Sequence, residues 1–483
     1  MKRAHLSIIK NVYIAIAVCI IVSTTILFWY YYPDNWYLWN LPFSLIGLGI
    51  MIYVCGRSSL NVTLSARKFH TFLFVIPIIV FFVQILIAFY YPFRYDSDLL
   101  VVKETAMYIS EHHTLGKHYD YFQSFPNNLN ITLTCSILYH FFRSWEVVTL
   151  FGALLVNISS VLTCLIVRHY SKSNTTAFIS LIVSEFILSF TFIAYPPYTH
   201  NFGIIFPILQ VYIYTLPLEH RLKAVLLFAS VAIGALMKVT TLVPFIGIAV
   251  IEIFKITNMH RFRRALGYAF FFMAIYGCAH LFQNIVWKEV GYVENTAKKN
   301  NISYFFLLGQ STDSGGRCDG KYAALASTLN VEKEQKDSIF VTLAKENIRE
   351  RGFLGNVKFY IGKLCMCWGD SSFSSYKISC KNPQMQKYLR VYTVPRQILW
   401  YFILIMLFLT PLKHKGKNLA LLYLCIIGVT FYLLLFEAES RYIFMFAPLV
   451  LSLSIIGAHE TLAQYKKSFL EKHHSMETKT PIT

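Results

Sequence analysis

The sequence predicts an all-α polytopic membrane protein with about twelve transmembrane helices, an outer-face loop and a small mixed outer domain. Three observations carry this expectation. Apolar residues make up 56% of the 483 and charged residues only 14%, a smaller charged share than a soluble chain of this length carries. The apolar residues fall in long unbroken runs, whereas a membrane β-barrel would alternate in and out along each strand. The basic residues gather in short clusters between those runs, as cytoplasmic loops do.

Taken in order, Lys2, Arg3 and Lys10 precede the first run, residues 11–31, and place the N-terminus in the cytoplasm. That run is too long for a signal-peptide core and no small-residue cleavage site follows it, so it is expected to stay as an anchor. The second run, 38–55, returns to a loop with Arg57, Arg67 and Lys68, and the third, 70–91, leaves for a polar outer segment, 92–128. Two apolar pieces follow, 127–142 and 145–167, and then Arg168, His169 and Lys172. If both pieces crossed, those basic residues would lie outside. The first is about 16 residues, short of the ~20 that a crossing helix needs, so it is expected to lie at the interface or dip in without crossing.

Further runs fall at 175–194, 199–216, 222–237, 239–256, 263–287, 396–411, 418–436 and 442–462. Inner loops are marked by Lys255, Arg261, Arg263 and Arg264, and again by Lys413, Lys415 and Lys417. Lys466, Lys467 and Lys472 set the C-terminus inside. The chain therefore divides into N-terminal helices (1–91), a first outer loop (92–128), a transmembrane core (129–287), an outer domain (288–395), C-terminal helices (396–465) and a polar cytoplasmic tail (466–483). The outer domain has ordinary soluble composition and includes a polar stretch of helical character, Val331–Arg351. The expected location is a bacterial cytoplasmic membrane.

The net charge of +19 raises the question of nucleic acid. Its distribution in short clusters between runs answers it as topology charge, and no nucleic-acid partner is expected. Cys19, Cys55, Cys135, Cys164, Cys278 and Cys425 sit in apolar runs as small hydrophobes. Cys318, Cys365, Cys367 and Cys380 lie in the outer segment without paired C-x-x-C spacing, so no metal site is expected from them.

Four places combine polar chemistry with a membrane boundary. The first outer loop opens with Phe93-Arg94-Tyr95-Asp96-Ser97-Asp98. A carboxylate there, Asp96 or Asp98, suits a general base on an acceptor hydroxyl or a metal ligand facing a phosphate; the plain alternative is a solvated loop start. Leu99 to Ser110 then forms a one-sided apolar helix able to lie in the headgroup layer. At the re-entry, Tyr121-Phe122-Gln123-Ser124-Phe125-Pro126-Asn127-Asn128 makes a turn in which Asn127 and Asn128 bind sugar hydroxyls or cap a helix. Lys238, in Gly234-Ala235-Leu236-Met237-Lys238-Val239-Thr240, falls on the side that basic residues avoid, where a lipid phosphate or simple snorkelling accounts for it. The same holds for Arg441 in Phe436-Glu437-Ala438-Glu439-Ser440-Arg441-Tyr442, a guanidinium suited to a phosphodiester, with Glu437 or Glu439 orienting it or forming a structural ion pair.

These features, in this order, resemble the GT-C superfamily of membrane glycosyltransferases, whose branches include the protein O-mannosyltransferases and the lipid A aminoarabinose transferases. Tyr95-Asp96-Ser97-Asp98, Phe125-Pro126-Asn127-Asn128, Lys238, and Glu439-Ser440-Arg441-Tyr442 followed by an apolar helix with Pro448 carry the resemblance. Tyr360 to Phe373, with Trp368-Gly369-Asp370, looks like an outer-domain signature of uncharacterised Gram-positive members. The resemblance implies that the first-loop acid is base or acceptor-orienting group. Counted back from Ala106, Asp98 matches better and Asp96 second; the family's adjacent Asp-Glu pair is absent, so both stay open. The twin prolines of the mannosyltransferase turn are replaced here, so acceptor class does not carry over.

The expected function is transfer of a sugar from a polyprenyl-phosphate carrier to an extracytoplasmic glycan, glycolipid or protein. Asp98 or Asp96 would be catalytic, and Asn127, Asn128, Lys238, Glu439 and Arg441 would bind substrate. Fixed cations would hold the leaving phosphate, so no obligatory metal or other cofactor is expected. The alternatives are a lipid-linked polysaccharide polymerase or ligase, and a transporter. A transporter would show internal repeats and charged or broken helices near the midplane, and no clear repeat stands out.

Overall fold

The computed structural model describes residues 9–16, 63–90, 93, 95, 97–256, 259–329, 331–374, 383–413 and 419–477. Among the described residues the fold is helical and contains no β-strand. Asp96, most of the first two apolar runs and the inner loop with Lys415 and Lys417 lie outside the described residues.

The third run becomes α1, Ala66–Tyr90. Its Phe74, Ile78, Ile79 and Phe82 are exposed, as side chains are when a helix faces lipid. After α2 (Ser97–His112) and α3 (Tyr119–Ser124) come α4 (Leu129–Phe142) and α5 (Trp145–Ser171). Helix α5 starts at Ser144, whose Oγ accepts from Val147 N, and ends with Arg168 and His169 in its last turn, where cations suit the carboxyl end of the helix dipole. It packs on α1 and on α6 (Asn174–Ser184), at the centre of the bundle. There follow α7 (Thr199–Gly203), α8 (Ile205–Thr215), α9 (His220–Met237), α10 (Val243–Phe254) and α11 (Met259–Glu289). The last group comprises α12 (Ile302–Gln310), α13 (Gly320–Thr328), α14 (Lys333–Gly369, two helical segments meeting at a kink at Gly352), α15 (Pro383–Lys413), α16 (Ala420–Leu435), α17 (Ser440–Phe444) and α18 (Ala447–Glu477).

Among the described residues, four helical stretches, Ala66–Tyr90, Trp145–Ser171, His220–Met237 and Ala265–Glu289, are long and apolar enough to cross a membrane. Shorter apolar stretches occur at Asn174–Ser189, Val239–Phe254, Pro395–Thr410 and Ala420–Leu435. Helices α15 and α18 cross closely at Gly457, where an added Cβ would meet Thr410 Oγ1 at 1.9 Å. Small residues at such crossings let two apolar helices approach backbone to backbone.

The polar connections separate to two ends of the bundle. One end holds Asp98, Asn128, Tyr198, Lys238 and the Glu437–Arg441 turn. The opposite end holds Lys255, whose Nζ donates to Tyr214 Oη and Glu252 Oε1, each at 2.8 Å, and Arg168, whose Nε donates to Asn174 Oδ1 at 3.0 Å. Helix α4 stays at the first of these ends. Its Asn130 donates to Leu236 O, at the end of α9, and accepts from Trp287 Nε1, near the end of α11. Its far end packs Tyr139 against Trp145, the first residue of α5. A helix of 14 residues spans about 21 Å, and both its termini touch same-side helix ends, so α4 lies across the bundle end rather than through it.

Where the sequence suggests a mixed outer domain, the described residues of 288–395 form helices only. Tyr304, Leu307 and Leu308 of α12 pack on Phe340 and Ala344 of α14, a three-to-four-residue spacing that sets one apolar stripe against another. The helical character of Val331–Arg351 is realised within α14.

A candidate active site at one end of the bundle

The site is assembled from five separate stretches of chain. The first is the start of α2, where Asp98 is half-buried and its Oδ2 accepts from the Tyr198 hydroxyl at 3.1 Å. The second is the Pro126–Asn128 turn. Buried Asn128 donates through Nδ2 to the Tyr121 hydroxyl at 2.6 Å, and Tyr121 lies close enough to Asp98 to feel its charge. Asn127 is exposed and donates to Asn128 Oδ1 at 3.2 Å, so of the two amides only Asn128 touches the ring of groups around Asp98.

The third stretch is Tyr198–Asn201. Tyr198 N donates to Asn201 Oδ1 at 2.9 Å, and Asn201 Nδ2 donates to Ala194 O at 3.1 Å, so a tight local turn presents Tyr198 and His200 on one side. The His200 ring lies between those of Tyr198 and Tyr442, with centroids 5.4 and 5.5 Å away and near-parallel planes. The fourth is Lys238, which interrupts the helix between α9 and α10 with extended backbone. Its Nζ is 2.8 Å from His200 Nε2 and sits 4.3 Å above the centre of the Tyr442 ring.

The fifth stretch is Glu437–Tyr442. Arg441 Nε lies 2.7 Å from Glu439 Oε2, an ion pair by distance without hydrogen-bond alignment. Glu439 is 3% exposed and the Arg441 side chain 28%, so the guanidinium still reaches the surface of the site. Glu437 Oε2 accepts from the Tyr442 hydroxyl at 3.2 Å. Helices α12 and α14 and the segment around Gly316 clamp this turn from behind. Glu437 N donates to Phe305 O, Ala438 N to Gly316 O, and Lys363 Nζ to the carbonyls of Gly309, Leu434 and Phe436. Gly309 permits the contact, since a Cβ there would meet the Phe436 carbonyl carbon at 2.3 Å. Buried Asp370 adds a further tie, accepting from Ser440 Oγ at 2.7 Å and from the amides of Ser372 and Ser374.

The electrostatics follow from this crowding. Burial, then the Arg441 charge, push Lys238 well below the usual lysine range, while Glu437 and Glu439 pull it back up. Burial, then the Lys238 and Arg441 charges, hold His200 well below the usual imidazole range. A neutral His200 with its proton on Nδ1 offers Nε2 as acceptor to Lys238, which fixes the direction of the ammonium. Glu437 is pushed up by burial, with Arg441 opposing.

Asp98, Asn128, Lys238, Glu439 and Arg441, named from sequence, thus meet in one network; Asn127 stays at its edge. Sequence reasoning passed over Tyr198, His200 and Lys363, and it quoted Tyr121, Tyr442, Asp370 and Ser440 within its motifs without giving any of them a role in the site. The available signal for two of them was Pro196-Pro197-Tyr198-Thr199-His200, a proline pair and polar rings between two apolar runs.

With that geometry in place, comparison with known proteins assigns the chain. Residues 35–462 match the model of a family described as conserved hypothetical integral membrane protein. The chain belongs to that family. No curated protein and no solved structure matches the sequence. As an integral membrane protein of this family, the chain holds this network of rings, amides, acids and cations at one end of an apolar bundle.

His200 gives a direct check on this electrostatic picture. Its folded pKa is depressed, so between that value and the ordinary 6.5 the unfolded chain binds the extra proton and stability rises with pH. Stability contributed by neutral His200 is therefore expected to be lost as pH falls below 6.5. His200→Gln keeps an acceptor for Lys238 but does not titrate. Thermal unfolding in detergent from pH 7 to 5 should show a shallower loss in that variant; equal slopes would remove His200 as the source.

Proposed function

We propose that this protein is a glycosyltransferase of the GT-C type, moving a sugar from a polyprenyl-phosphate carrier to an acceptor outside the cytoplasmic membrane, such as a cell-envelope glycan. One observation carries the reading: an acid with an accessible edge and two cations, drawn from separate stretches of chain, share one network at a membrane-helix end. Tyr198 donates to Asp98 and stacks on His200, the acceptor of Lys238, and Arg441 lies over the ring of Tyr442, which also stacks on His200.

In this reading the acceptor hydroxyl gives its proton to the Asp98 carboxylate. Its oxygen forms a bond to the anomeric carbon as the carbon–oxygen bond to phosphate breaks on the opposite face, inverting the centre. The electron pair leaves on polyprenyl phosphate, whose charge Arg441 and Lys238 hold. The mutual repulsion of those two cations supports an anionic occupant, because a phosphate between them converts a like-charge conflict into two attractions. Asn128, with Tyr121, stands beside Asp98 as a sugar-hydroxyl or acceptor contact.

The experiment is transfer by purified protein from a polyprenyl-phosphate monosaccharide to cell-envelope acceptor fractions. Product from a monosaccharide carrier supports the proposal. Turnover only with an oligosaccharide carrier would assign a polymerase or ligase instead. Location adds a second test. Lys172 and Asp313 are both exposed. In a cysteine-free background, Lys172→Cys is expected to resist a membrane-impermeant thiol reagent on intact cells, and Asp313→Cys to react. Labelling of position 172 from outside would reverse the proposed sidedness.

A further inference from the structure

A second polar centre lies inside the bundle. Glu185 opens the π-helical turn Glu185–Ser189 that continues α6, and it is 2% exposed. Buried Gln84 of α1 and Asn157 of α5 converge on this turn. The Ser189 hydroxyl is hydrogen-bonded to Glu185 Oε2 and lies 3.4 Å from Asn157 Oδ1. Asn157 Nδ2 donates to Gln84 Oε1 at 2.5 Å and to Ala153 O at 3.0 Å; Gln84 Nε2 donates to Ser189 O at 2.8 Å. Glu185 Oε1 is buried and has no hydrogen-bond partner among the described residues.

No described cation lies within ion-pair distance of this carboxyl group. The turn is packed by α1, α5, α6 and α15. On α1 and α5 the facing polar groups are Gln84 and Asn157, which do not titrate. On α15 they are Tyr392, whose hydroxyl is bonded to Phe186 O, and Arg396, which lies over the Tyr392 ring at 5.0 Å. On α6 itself the neighbouring groups are the hydroxyls of Ser184 and Ser189. An ionised Glu185 would be a charge buried without a counter-ion, the costly case.

Counting hydrogens leads to the same place. A serine hydroxyl has one hydrogen, yet Ser189 faces two acceptors, Glu185 Oε2 and Asn157 Oδ1. Both hydrogens of Asn157 Nδ2 are used on Gln84 and Ala153. A proton on Glu185 resolves the conflict: Glu185 donates to Ser189, Ser189 to Asn157, Asn157 to Gln84, and Gln84 to the Ser189 carbonyl. Every link then has one donor. An ionisable side chain inside a membrane bundle and a π-turn that exposes backbone to it are both features of working sites rather than of packing.

We propose that Glu185, with Ser189, Asn157 and Gln84, is an intramembrane proton-binding site, separate from the network around Asp98. The bound species is a proton on the Glu185 carboxyl, taken up from water without any accompanying redox or transfer step. This inference is independent of the glycosyltransferase reading.

The test is infrared spectroscopy of the full-length protein in lipid nanodiscs at neutral pH, comparing wild type with Glu185→Gln. The expected result is a carbonyl stretch of a protonated carboxylic acid in wild type that shifts in heavy water and is lost in the variant. Glutamine matches glutamate in shape and can donate to Ser189, so the fold should persist. If it does not, Ser189→Ala serves instead, since removing the partner of the acid should move the same band. No difference band in Glu185→Gln, or no movement in Ser189→Ala, overturns the proposal. So does loss of the wild-type band on adding sodium at constant pH, which would make the centre a monovalent-cation site.

Discussion

Asp98→Asn is expected to cut sugar transfer by about 10²–10⁴-fold, the usual contribution of a general base, while leaving carrier binding close to wild type. The substitution is mild in structural terms. The asparagine Oδ1 still accepts from the Tyr198 hydroxyl, which lies 3.1 Å from Asp98 Oδ2, so the α2 start and the Tyr198–Asn201 turn keep their tie. What is lost is the ability to take a proton from the acceptor. Single-turnover rates and carrier affinity, measured on the same folded preparation, separate these effects. Near-wild-type transfer in Asp98→Asn with loss in Asp96→Asn would move the role two residues upstream. Activity in both variants would remove the first loop from the chemistry.

Arg441→Lys is expected to weaken binding of the carrier phosphate by roughly ten- to a hundredfold, the equivalent of about 1.5–3 kcal/mol for a charge-assisted contact. Lysine keeps the charge and can still pair with Glu439, whose Oε2 is 2.7 Å from Arg441 Nε. It cannot offer a planar fork to two phosphate oxygens. A purely structural ion pair would therefore tolerate the change, and any lost activity would follow lost folded protein. Binding of polyprenyl-phosphate sugar to monodisperse wild-type and variant protein decides between the two. Equal affinities and equal rates would make Arg441 a structural residue, and the phosphate would have to sit elsewhere, with Lys238 the remaining cation on this network.

Both predictions rest on residues that were legible before any fold was known, because each contradicts a simple expectation. Arg441 and Lys238 fall on the side that the predicted topology makes extracytoplasmic, where the charge bias disfavours basic residues, and Asp98 is acidic at a predicted membrane exit. His200 breaks no such rule. A histidine beside a proline pair is an ordinary loop residue until tertiary packing stacks it between Tyr198 and Tyr442 and aims its Nε2 at Lys238. Glu185 falls inside a predicted run, 175–194, where one carboxyl among apolar residues is easily read past. Its meaning depends on Gln84 and Asn157, 101 and 28 positions away in the chain by subtraction of their numbers.

By itself the sequence determined that this is a helical integral membrane protein, and where most of its apolar helices lie. Partition into a membrane depends on composition and run length, both of which are local properties. The same local reasoning marked 127–142 as too short to cross, and the termini of α4 do sit on same-side helix ends. Only the tertiary structure decided that segment 288–395 is helical where described, and that Asn128 rather than Asn127 joins the network around Asp98. It alone clamped the Glu437–Arg441 turn, through Lys363 and the close approach of Gly309. Those outcomes depend on which distant backbone carbonyls and rings come within about 3–6 Å of one another, and hydrogen bonds and ring stacking act only over such ranges. Run length and charge bias carry no information about pairs so far apart in the chain.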